Sequence, residues 1–74
     1  MDISQAIRKR LEEGLQEHQR GALDAAQEIY QGVLDDDPGN ADAYHFLGLI
    51  AHQQQNFEIA VTLIQKAIAG DNAR

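Results

Sequence analysis

The sequence predicts an all-α fold of two antiparallel helix–turn–helix hairpins stacked on one another. Three observations carry that prediction. The chain overlays on itself at an offset of 34 residues. Apolar residues recur every three or four positions, the spacing of one helix face. Helix breakers stand where hairpins must turn, at Gly21 and at Asp37-Pro38-Gly39, and no stretch alternates as a strand does.

Sliding residues 7–40 onto 41–74 needs no insertion and makes seven positions identical: Gly14 with Gly48, Leu15 with Leu49, His18 with His52, Gln19 with Gln53, Ala26 with Ala60, Gln31 with Gln65 and Asp37 with Asp71. Leu23/Phe57, Asp24/Glu58, Ile29/Leu63 and Leu34/Ile68 are conservative pairs. The matches concentrate at small and apolar positions, where a packed repeat restricts the residue type. The expected organisation is one domain over 1–74, with a first repeat at about 7–40 and a second at about 41–74.

The elements follow in order. Asp2 with Gln5 resembles a capping box at the first helix start. Ile3, Ile7, Leu11, Leu15 and His18 then form one stripe, and Gly21 ends the helix. The second helix runs from Leu23 or Asp24 to Asp36, with Leu23, Ala26, Ile29, Tyr30, Val33 and Leu34 inward, and Pro38 stops it. Asn40 is a good N-cap for the third helix, whose buried face is Ala43, Tyr44, Leu47, Gly48, Ile50 and Ala51. Asn56 caps the fourth, with Phe57, Ala60, Val61, Leu63, Ile64, Ala67 and Ile68 as its apolar set. A glycine inside a helix costs about 1 kcal/mol relative to alanine, so Gly14 and Gly48 need a packing reason. The expected reason is a close helix crossing, with Ala26 and Ala60 as the small residues opposite.

Composition narrows the function. A chain of 74 residues buries about 60% of its unfolded surface and is marginal without support. No Cys is present to supply a disulfide or a thiolate metal site. A net charge of -6 argues against nucleic acid, because a phosphate backbone demands a basic footprint. Arg8, Lys9 and Arg10 are followed on their own helix by Glu12, Glu13 and Glu17, as on a solvated face. No apolar run approaches the ~20 residues that span a bilayer, and the N-terminus does not read as a secretory signal. The expectation is a soluble, cytoplasmic protein with no membrane partner.

Catalytic and metal constellations are weak. Ser4 and Thr62 are the sole hydroxyl nucleophiles of their types, and neither has a histidine close in sequence. No enzyme is predicted, and no cofactor. His45 and His52 are seven residues apart, about 10 Å along a helix, whereas chelation on one helix favours a spacing of four. Asp35, Asp36 and Asp37 open no calcium loop, since the sixth residue from Asp35 is Asn40 and the twelfth is Phe46, where glycine and glutamate are required. The histidines therefore read as groove-lining or partly buried imidazoles and the aspartates as a solvated helix end.

A 34-residue helix–turn–helix unit with these residues resembles the tetratricopeptide repeat family. The second repeat is similar to the family pattern at Leu47, Gly48, Phe57, Ala60, Ile64 and Ala67. Tyr44 stands where the family prefers Trp, Ala51 where it prefers Tyr and Asn72 where it prefers Pro. The first repeat matches at Gly14, Gly21, Leu23, Ala26, Tyr30 and Pro38, and departs at Arg10, Glu13 and Glu17, as a polar capping helix would. The segment from Ala43 to Gln53 resembles early repeats of long bacterial multi-repeat proteins.

The resemblance implies a short right-handed solenoid that binds protein rather than catalysing. It implies a concave groove lined by the first helix of each repeat: Arg8, Leu11, Leu15, His18 and Gln19, then Asp42, His45, Leu49, His52 and Gln53. Relatives that clamp a C-terminal carboxylate use Lys, Asn and Arg in this groove. Leu11, Leu15, Phe46 and Leu49 stand in those places here, so a peptide or helix with apolar anchors is the expected ligand. The fourth helix would ordinarily receive a further repeat on Leu63, Ile64, Ala67 and Ile68, so a homodimer through that helix is expected. The alternatives are a substrate-presenting array attached to a larger enzyme, such as a glycosyltransferase similar to O-linked N-acetylglucosamine transferase, and a self-assembling scaffold.

Overall fold

The computed structural model describes residues 3–72. Among them are four helices and no strand: α1 (Ile3–Gln19), α2 (Leu23–Asp36), α3 (Ala41–Gln53) and α4 (Phe57–Asn72). The fold is an all-α helical repeat. α1 packs on α2 and α3 on α4, and the two hairpins join mainly where α2 meets α3. The proposed capping partner Asp2 lies outside the described residues.

The turns show why the helices stop. At the end of α1 the Ala22 amide donates to the Glu17 carbonyl (2.9 Å) and the Gly21 amide to that of His18 (3.0 Å). This double bond pattern is a Schellman closure, which requires a left-handed residue between. Gly21 supplies it with φ +83°. The same closure recurs 34 residues on, from Asn56 to Ala51 (2.8 Å) and from Gln55 to His52 (3.0 Å), with Gln55 held at φ 65°. Asn40 caps α3 as expected: its side-chain oxygen accepts from the Ala43 amide at 2.8 Å, while its Nδ2 donates to Asp37 Oδ2 at 3.0 Å. Asn56 serves α4 through its carbonyl, which accepts from the Ala60 amide.

The core sits between α2 and α3. Ala26, Tyr30, Leu47 and Ile50 are buried together, and Leu11, Leu23, Leu34, Phe46 and Leu63 close around them. Phe46 stacks on Tyr30 at 5.3 Å. The two helix glycines have the packing reason the sequence demands, with a different partner. A Cβ on Gly14 would stand 2.5 Å from Tyr30 Cε1, and one on Gly48 would stand 2.7 Å from Ile64 Cδ1. Tyr30 and Ile64 are themselves 34 residues apart. Each glycine makes room for the large side chain of its own hairpin, and at Gly48 the Ala60 carbonyl oxygen would also stand 3.4 Å from a Cβ, so the expected approach to Ala60 is present there beside the knob.

Arg10 explains one departure from the apolar pattern. Its guanidinium lies over Gly32, where a Cβ would be 2.5 Å from Nη2, and reaches Asp36 on α2 at 2.5 Å. A long arginine stem thus covers the outer side of the first hairpin while its charge stays paired.

Candidate functional site

α1 and α3 lie side by side, and a hydrogen bond between His18 Nε2 and Gln53 Oε1 ties their C-terminal ends together. Of the ten predicted groove residues, Leu11, Leu15 and His18 are half-buried and the other seven are exposed. Five of them line two hollows that share no lining residue, and Leu15, His18, Gln19, His45 and Gln53 line neither. Arg8, Leu11 and Asp42 meet in a hollow of about 250 Å³ at the start of α3, together with Ser4, Ile7, Asp37 and Asn40. Leu49 and His52 instead line a hollow of about 310 Å³ beside the end of α3, with Gly48, Phe57, Ala60, Val61, Ile64 and Gln65. His45 stands against Phe46 at 5.5 Å.

The two hollows differ in chemistry. The first places Arg8 and Asp42 on the same opening, and the described residues contain no ion pair between them. Its lining adds Ile7, Leu11 and a second carboxylate, Asp37, so it offers one cation, two anions and an aliphatic patch. The second is lined almost wholly by apolar atoms, with the His52 ring edge-on to Phe57 at 5.3 Å.

On α4, the structure turns Leu63 and Ile64 half inward and buries Ala67, leaving Ile68 exposed among the four residues expected to self-associate. Phe57, Ile59 and Val61 are each more than half exposed. The sequence places Phe57 and Val61 in the apolar set of α4 without saying which of that set is buried. The offset carries a signal: Val61 corresponds to Gln27, which is exposed on α2.

Other features carry little chemistry. An acidic hollow on the outer face of α2, lined by Asp24, Glu28 and Asp35, is wide and shallow. Among the described residues no three His, Asp or Glu side chains are placed to hold a metal ion. No helix of the described residues is long and apolar enough to cross a membrane.

Comparison with known proteins agrees with the geometry. The chain matches the model of the tetratricopeptide repeat family over residues 17–73. It is 32% identical over 57 residues to the PEX5-related protein of Rattus norvegicus, a match covering 77% of this chain and 10% of that protein. The chain thus spans about a tenth of the length of that curated relative. No solved structure matches it.

Proposed function

Because the chain belongs to the tetratricopeptide repeat family, whose domains mediate protein–protein interaction, we propose that it is a non-catalytic module holding a peptide segment or partner subunit on the face of α1 and α3. The observation that carries this reading is the hollow where Arg8, Leu11 and Asp42 converge from two helices distant in sequence. An aliphatic anchor fits against Ile7 and Leu11. Polar groups beside it fit Arg8 and Asp42, and Gln19 and His45 extend the contact along the face. With Asp37 and Asp42 against the single Arg8, the hollow carries a slight negative excess, so it recognises shape and hydrogen-bonding groups with a modest preference for a cationic group.

The test is affinity capture from the source cells with the chain and with an Arg8→Glu, Asp42→Lys double variant. Both residues are exposed, so helicity is expected to hold. Loss of the captured protein at about tenfold or more, with unchanged circular dichroism, supports the α1–α3 face. Capture that survives the reversal removes it.

A further inference from the structure

Asp35, Asp36 and Asp37 close α2, and the structure sends them three ways. Asp35 lines the shallow hollow on the outer face of α2. Asp36 is taken by Arg10 at 2.5 Å. Asp37 lines the hollow at the start of α3, where its Oδ2 accepts from Asn40 Nδ2 at 3.0 Å. Asn40 is only 6% exposed and is itself fixed by the Ala43 amide, so the Asp37 carboxylate is set in place before any ligand arrives. Asp42, in the first turn of α3, brings a second carboxylate to the same opening. The ion pairs among the described residues are Arg10–Asp36 and Arg20–Glu17, so neither Asp37 nor Asp42 is neutralised from within.

Resting on the assignment of binding to the α1–α3 face, we propose that the group seated in this hollow is a basic side chain, lysine or arginine, of the partner segment. It lies lengthwise along Ile7 and Leu11 with its charge between Asp37 and Asp42. A long basic side chain is apolar along its stem and charged at its tip. The hollow has the matching order, with Ile7 and Leu11 half-buried on α1 and the two carboxylates where α2 turns into α3. Arg8, exposed on the same opening, donates to backbone carbonyls of the segment beside the seated residue.

Other occupants fit less well. The hollow, at about 250 Å³, lies under the roughly 300–1,000 Å³ of small-molecule pockets and suits one side chain. An acidic side chain meets two carboxylates against one guanidinium. A purely aliphatic one covers both carboxylates without supplying a counter-charge, which is costly. A divalent cation finds no group of three His, Asp or Glu side chains among the described residues. The net charge of -6 draws cationic segments toward the whole chain, so a test has to separate this seat from that general field.

The experiment measures retention of blocked heptapeptide pools on the immobilised chain. Each pool is randomised except at its centre, which is lysine, arginine, norleucine or glutamate. The lysine and arginine pools are expected to be retained about threefold or more over norleucine and about tenfold or more over glutamate. Asp42→Asn removes that preference, and so does Asp37→Asn, which keeps an acceptor for Asn40 and so spares the turn. Glu28→Gln takes the same charge from the outer face of α2 and leaves the preference intact. Circular dichroism checks that each variant is folded. Equal retention of the norleucine pool overturns the proposal, and the α1–α3 face still stands if that pool shifts the Ile7 and Leu11 methyl signals. A preference that Glu28→Gln lowers as much as Asp42→Asn does also overturns it, as an effect of the general field. Retention of no pool overturns it too, and capture with the Arg8→Glu, Asp42→Lys variant then decides the α1–α3 face separately.

Discussion

At the scale of single residues, Tyr30 joins packing to chemistry. It is fully buried, it fills the space Gly14 leaves, and it carries Phe46 on its ring. Its hydroxyl has no hydrogen-bond partner among the described residues, and burial raises its pKa above the ordinary 10.0. An unmet buried hydroxyl costs about 1–3 kcal/mol. Tyr30→Phe keeps the ring and removes the cost, so urea unfolding at neutral pH should show stability unchanged or raised by about 1 kcal/mol. The pH dependence has a definite sign. The unfolded chain ionises Tyr30 near pH 10 while the folded chain holds the proton, so stability falls as pH rises above that point. Tyr30→Phe should lessen that decline. A loss of more than about 1 kcal/mol at neutral pH would mean the hydroxyl has a partner after all.

At the scale of the element, the repeated Schellman closure exposes a mismatch between residue and backbone. Gly21 and Gln55 occupy equivalent left-handed positions, but a side chain at such a position costs about 1–2 kcal/mol. Gln55→Gly is expected to stabilise the chain by about 1 kcal/mol after the entropy of glycine is set against the relieved strain. A thermal midpoint that falls instead would show that Gln55 is at ease there. Sequence reasoning found Gly21 because glycine announces the conformation; glutamine at 55 conceals it, and the 34-residue offset alone connects the two. The helix starts and stops were legible for the same reason, since Asn40 and Pro38 are unambiguous. The orientation of α4 was less so. A helix apolar over much of its surface has a weak preference by pattern, and Ala60 and Ala67, not Phe57 or Val61, are the residues it buries. The glycine partners were also hidden, because a hole and its knob lie on different helices and no local spacing relates Gly14 to Tyr30.

At the scale of the molecule, the chain is a slab measuring 38 × 30 × 16 Å. One dimension is little more than a single helix diameter with side chains, about 10–12 Å, so few residues are enclosed. Of the ten buried hydrophobic residues described, six are alanine, which allows close helix contact and leaves the larger apolar side chains at the margins. Charge is uneven as well: residues 1–40 hold nine of the twelve acidic residues, while residues 41–74 are nearly neutral. The sequence made the α1–α3 face visible as a list of positions, but not its division. Which side of α3 each residue serves depends on how the hairpins stack, and Leu49 and His52 go to the α4 side while Arg8, Leu11 and Asp42 go to the other.

The central claim, that the protein acts by binding at the α1–α3 face, is tested most directly by a methyl NMR map of the labelled chain saturated with its captured partner. The account predicts that the Ile7, Leu11 and Leu15 methyl signals shift while those of Val61 and Ile64 stay in place. Saturation that leaves Ile7, Leu11 and Leu15 unmoved would contradict it.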